Sequence, residues 1–204
     1  MIPETAAIAP DLVSAFFAST AVVALAEIGD KTMLLAIVLA ARMRGYHWQI
    51  LAGILVATIA NHALAALVGQ QVAGLVDAPW FRVAVALGFI AMAAWTLVPD
   101  TFDEEDENVA HRGSAFLTTL VAFFIVEMGD KTQVATVALG AQYQSVAVVA
   151  AGTTLGMMLA NAPAVFLGEE LVKRVSLKVT RIAAALLFLA LGLWQLAAFL
   201  PGLQ

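Results

Sequence analysis

No Asp, Glu, Lys or Arg occurs between Arg44 and Asp77, between Lys131 and Glu169, or after Arg181. Each of these stretches is at least as long as the roughly 20 helical residues needed to cross the hydrocarbon core of a bilayer. In lipid every backbone N–H and C=O must find its partner within the segment, which favours helices. Of the 204 residues, 62% are hydrophobic and 12% charged. That is about half the charged share of a soluble domain. The chain therefore reads as an all-α integral membrane protein.

Six apolar blocks are expected to cross, at about residues 11–41, 48–68, 80–98, 114–141, 146–167 and 179–200. The first is too long for a straight crossing and calls for tilt, or for a break near Gly29. The long polar segment, residues 100–113, carries Asp103-Glu104-Glu105-Asp106-Glu107. Such a run of like charge repels itself and stays solvated. The expected organisation is a three-helix unit at 1–99, an acidic linker at 100–113 and a second three-helix unit at 114–204. Trp48, Trp80 and Trp194 fall near block ends, and Trp95 lies a few residues from one, where amphipathic rings suit the membrane interface. The first ten residues hold no Lys or Arg, so the first block reads as a permanent span rather than a secretion signal.

Charges nevertheless lie deep within two of the blocks, and they do so with the same hexapeptide. Glu27-Ile28-Gly29-Asp30-Lys31-Thr32 recurs as Glu127-Met128-Gly129-Asp130-Lys131-Thr132. The likeness extends outward. Phe16 matches Phe116, Ala52-Gly53 matches Ala151-Gly152, Ala60-Asn61 matches Ala160-Asn161, and Val68-Gly69 matches Leu167-Gly168. Two repeats with an odd number of spans each must enter the membrane from opposite sides, the inverted arrangement of many transporters. Arg42, Arg44, Arg112, Lys173, Arg174, Lys178 and Arg181 fall on one side of this arrangement and Arg82 on the other. The positive-inside rule then puts the acidic linker in the cytoplasm and both termini outside.

On a continuous helix Glu27 and Asp30 share a face, with Lys31 on the same side, and Glu127, Asp130 and Lys131 repeat the pattern. Inverted repeats would bring the two motifs together near the midplane. Gly29 and Gly129 permit either close helix approach or a local break that frees carbonyls. An isolated charge at that depth costs about 3 kcal/mol or more, so these groups must face a cavity or one another. The plain reading is an ion-pair network, Glu27–Lys31 and Glu127–Lys131. Buried ion pairs rarely stabilise more than apolar packing does, so two mirrored sets point instead to an ionic task.

Four carboxylates and two ammonium groups leave a formal charge that a divalent cation would neutralise. Carboxylates are hard ligands, suited to calcium, magnesium or manganese. The absence of cysteine excludes disulfides and thiolate sites, and no histidine cluster invites copper or zinc. Candidate metal ligands are Glu27, Asp30, Glu127 and Asp130, with Asn61 and Asn161 completing the shell or forming interhelical hydrogen bonds. Thr32, Thr132 and Gln133 are candidate neutral ligands or supports. Lys31 and Lys131 either steady the carboxylates or stand in for the ion. Asn161-Ala162-Pro163 is a place where the local backbone could open. His62 reads as a satisfied interhelical histidine ahead of a proton-handling group, and Met33 and Met128 read as packing.

Clustered empty carboxylates repel one another, so protons are expected to replace the ion and the ion to displace protons. Alternating exposure of such a site gives cation/proton exchange. Two readings from other classes compete. One is an exporter of a cationic amino acid, and the other is a non-transport interaction protein docking through Asp103 to Glu107. No nucleophile or cofactor fingerprint accompanies the acids, so neither an enzyme nor a prosthetic group is expected, and nucleic acid is not an expected partner.

The two hexapeptides resemble the doubled E-x-G-D-[K/R]-[S/T] signature of the GDT1 family, which includes bacterial manganese exporters. Two copies in corresponding spans make the likeness specific, and it covers nearly the whole chain. The resemblance implies a secondary transporter of manganese, and in some members calcium, exchanging for protons. It carries the signature acids onto Glu27, Asp30, Glu127 and Asp130. A bacterial member would lie in the inner membrane and export manganese from the cytoplasm.

Overall fold

The computed structural model describes residues 12–75, 79–98, 114–168 and 176–199. The acidic linker, Arg112, Lys173, Arg174 and both termini lie outside the described residues. All the regular structure described is α-helical. The order is α1 (Leu12–Glu27), α2 (Lys31–Arg42), α3 (His47–Leu75), α4 (Pro79–Thr96), α5 (Ala115–Glu127), α6 (Lys131–Tyr143), α7 (Val146–Leu167) and α8 (Leu177–Phe199). By length and composition α3, α7 and α8 can each cross a bilayer, and α1 with α2 makes a fourth crossing if that bent pair counts as one. Helices α4 and α5 are apolar but shorter.

The polarity of the fold is inverted relative to a soluble protein. Leu55, Ile59, Leu64, Leu87, Ile125, Leu159 and Leu186 point outward, whereas Glu27, Asp30, Asn61, His62, Glu127, Asp130 and Asn161 are buried. A contiguous apolar exterior of this kind is costly in water and suited to lipid. The tryptophans keep to the outside, with Trp48 76% and Trp194 61% exposed.

The first motif decides between the tilt and the break that the long first block allowed. The helix ends at Glu27 and restarts at Lys31, with 67° between α1 and α2. Gly29 adopts φ +88°, which costs residues bearing a Cβ about 1–2 kcal/mol and glycine almost nothing. The second motif repeats the device, with Gly129 at φ +81° between α5 and α6. Glu27, Asp30 and Lys31 therefore do not share one continuous helical face, as their spacing alone suggests. Glu27 closes one helix, Asp30 sits at the boundary in extended backbone, and Lys31 opens the next. Pro163, by contrast, does not interrupt α7.

The helices interlock across the chain's midpoint. α3 packs on α5 and α6, α7 packs on α1 and α2, and α3 and α7 pack on each other. One close contact occurs twice with the partners exchanged. A Cβ on Gly53 would meet the Phe116 carbonyl oxygen at 2.8 Å, and one on Gly152 would meet the Phe16 carbonyl oxygen at 2.7 Å. Helices α4 and α8 pair with each other, and Phe89 stacks on Phe188 with ring centroids 6.4 Å apart. At one extremity Gln70 Nε2 donates to the Gln144 carbonyl oxygen at 2.6 Å. Elsewhere His47 stacks on Phe166 and Trp48 meets the same ring edge-on.

Candidate metal centre

The two breaks deliver their acids to one place. Glu27 at the end of α1 and Glu127 at the end of α5 are both almost wholly buried. Asp130 occupies the N-cap position of α6, but its carboxylate does not cap that helix. Glu27, Glu127 and Asp130 each bring a carboxylate oxygen to within 4.8 Å of the others. Opposite oxygens around one ion lie about 4.2–5 Å apart at ordinary metal–oxygen distances, so one cation fits among the three. Asp30, equally buried at the N-cap of α2, is not one of these three.

Each glutamate has one oxygen held and one available. The Thr32 hydroxyl donates to Glu27 Oε2, and the Thr132 hydroxyl donates to Glu127 Oε1. Glu27 Oε1, Glu127 Oε2 and Asp130 Oδ2 are buried without a hydrogen-bond partner. An unsatisfied buried acceptor costs about 1–3 kcal/mol, and more when charged, so three in one cluster call for a cation or for protons. The positive ends of α2 and α6 begin at the motif aspartates, which adds a favourable field for anionic groups.

Both motif lysines make contacts outside their own motif. Lys31 Nζ crosses to Asp130 Oδ1 at 3.3 Å, linking the first motif to the second. Lys131 Nζ donates to the Val98 carbonyl oxygen at 3.0 Å, near the end of α4. Three convergent carboxylates against one ammonium still leave a charge that suits a divalent ion.

Among the neutral candidates, Asn61 donates its amide to the Phe124 carbonyl oxygen at 3.2 Å, tying α3 to α5. Asn161 donates to the Met157 carbonyl oxygen at 3.1 Å and approaches Met157 Sδ at 2.9 Å, while its Oδ1 has no partner. Gln133 accepts from the Gly129 N–H at 2.6 Å and so braces the second break. His62, read from the sequence as an interhelical histidine, does reach across from α3 to the end of α5. It is fully buried, and its Nε2 lies 3.4 Å from Glu127 Oε1. The available signal was a titratable side chain beside Asn61 in an otherwise uncharged span.

The family profile described as "Divalent cation/proton antiporter GDT1" matches residues 15–104 and 115–200. The chain belongs to the GDT1 family. Its relatives include a Vibrio cholerae protein named "Putative manganese exporter", 46% identical over 176 residues and 86% of each chain. GDT1-like protein 5 of Arabidopsis thaliana is 28% identical, over 91% of this chain and 96% of its own. GDT1-like protein 4 of Oryza sativa subsp. indica is also 28% identical, over 89% of this chain and 73% of its own. No solved structure matches. GDT1 membership makes the chain a membrane transporter of the divalent cation/proton antiporter kind, and the family description concerns transport rather than catalysis.

Proposed function

We propose that this GDT1 protein exports manganese from the cytoplasm in exchange for protons, with calcium as a second ion the site accepts. The carrying observation is the convergence of Glu27, Glu127 and Asp130, contributed by both motif copies, inside an apolar exterior. All three ligands are hard oxygens, which fits manganese, calcium and magnesium. The named function of the Vibrio cholerae relative favours manganese and outward movement. Cationic amino acid export and a docking-only role both fit a divalent cation antiporter family poorly.

Coupling follows from charge. A divalent ion and a pair of protons offset the same excess of carboxylate over ammonium, so either one fills the site and excludes the other. Lys31, already on Asp130, steadies the cluster when the ion is absent. Asp30, Asn61 and Asn161 belong to the proposed pathway, with Asn161 Oδ1 as an available ligand oxygen. Thr32, Thr132, Gln133 and Lys131 hold the site in shape.

We read the architecture as six spans in two inverted three-helix repeats, residues 1–99 and 114–204, joined by a cytoplasmic linker, with both termini outside. The exchanged Gly53–Phe116 and Gly152–Phe16 contacts support the repeat. Gln70 meets Gln144, and Trp48 meets Phe166, each pair assigned to a common membrane face by this topology. Composition and the bacterial relative suit the inner membrane.

The test is transport in reconstituted vesicles. An imposed pH gradient is expected to drive manganese flux in preference to magnesium, and Glu27→Gln or Glu127→Gln is expected to abolish it. Manganese flux indifferent to both substitutions overturns the proposal.

A further inference from the structure

His62 has no counterpart in the second half of the chain. Ala60-Asn61-His62 aligns with Ala160-Asn161-Ala162, so a methyl group stands where the first repeat carries an imidazole. The side chain is fully buried on α3, one residue after the asparagine that ties α3 to α5. Its Nε2 faces Glu127 Oε1 at 3.4 Å, and its Nδ1 has no hydrogen-bond partner. A carboxylate that holds a cation is ionised and can only accept, so Nε2 must then carry the ring hydrogen. At 3.4 Å the contact is at the long end for a hydrogen bond, within reach of one that tightens when Glu127 is ionised.

The two glutamates are therefore held unequally. Glu127 Oε1 receives the Thr132 hydroxyl and faces His62, whereas Glu27 Oε2 receives the Thr32 hydroxyl. We propose that His62 is a positioning residue: with Thr132 it clamps Glu127 Oε1, which turns Oε2 toward the transported ion and makes this half of the site the rigid half. The inference rests on Glu127 being an ion ligand, as proposed above. Its consequence is selectivity. Rigid ligand placement favours a small ion with strict geometry, while calcium tolerates varied coordination numbers and angles. The chemistry that recognises manganese over calcium thus includes a residue that need not touch the ion.

Partners of this kind behind a metal ligand typically change affinity 10- to 100-fold when removed. In vesicles containing the full chain, His62→Leu is expected to raise the manganese KM by about 10- to 100-fold. The maximal rate and the calcium KM should move much less, so that discrimination against calcium falls. Glutamine can place an N–H near the Nε2 position, and asparagine, one methylene shorter, cannot. His62→Gln should then restore the manganese KM and His62→Asn should not. If His62→Leu does not fold, the Gln and Asn variants decide by themselves. An unchanged manganese KM in His62→Leu, equal impairment in the Gln and Asn variants, or equal loss for both ions overturns the positioning role. Glu127→Gln measured alongside separates the two ideas. If it is inactive while His62→Leu behaves as wild type, only the positioning role falls. If it transports normally, the ion site falls as well.

Discussion

Thr32 and Thr132 sit five residues beyond the glutamates they serve, a distance that an unbroken helix would not make useful. The helix break at each glycine brings the hydroxyl onto the carboxylate, so that Thr32 reaches Glu27 and Thr132 reaches Glu127. A hydrogen bond to a charged group contributes about 1.5–3 kcal/mol, and its loss here frees the carboxylate to rotate. Thr132→Val keeps the side-chain shape and removes the donor. It is expected to raise the manganese KM roughly tenfold, the low end of that range, as read by initial rates of uptake into vesicles. Thr32→Val should act in the same direction. A KM unchanged in both variants would show that the hydroxyls do not hold the ligands.

At the scale of elements, the breaks and the close contacts make different demands on glycine. At Gly129 an added Cβ would meet nothing within 4 Å, so Gly129→Ala tests backbone conformation alone. Its expected cost is about 1–2 kcal/mol, seen as a lower midpoint of thermal unfolding in detergent. At Gly152 the backbone is helical and the obstacle is α1, so Gly152→Ala must push α7 away from the Phe16 carbonyl. Overpacking of this kind costs about 1–3 kcal/mol. Gly53→Ala should do the same between α3 and α5. If alternating access requires these helix pairs to separate and close again, both substitutions will also slow transport. Vesicle assays at matched protein content check that outcome.

At the scale of the molecule, the proposed topology is open to direct measurement because the chain contains no cysteine. Single cysteines at Arg44, Glu105 and Gln144 can be probed with a membrane-impermeant thiol reagent. Gln144→Cys is expected to label from outside intact cells. Arg44→Cys and Glu105→Cys should label only when the cytoplasmic face is opened. External labelling of Glu105→Cys would reverse the assignment of the linker.

Much of this was legible beforehand. The uncharged stretches from Arg44 to Asp77 and from Lys131 to Glu169 require a membrane class, because no soluble core of this size buries them. The doubled hexapeptide marks the acids and suggests their partnership. The break at Gly29 was one of two options left open, since glycine permits both a kink and a close approach. The shared face of Glu27, Asp30 and Lys31 holds only while the helix continues, and the break at Gly29 ends it.

What the sequence by itself determined is the solvent, the helical class, the repeated motif and the charge type of a ligand. These depend on composition and on spacing along the chain. Only the tertiary structure decided that Glu27, Glu127 and Asp130 converge, that Lys31 crosses to Asp130 while Lys131 turns to Val98, and that His62 faces Glu127. Those are relations between side chains far apart in the chain. They depend on how α3 and α7 cross the broken helices, and Glu127 faces an imidazole because α3 carries His62 where α7 carries Ala162.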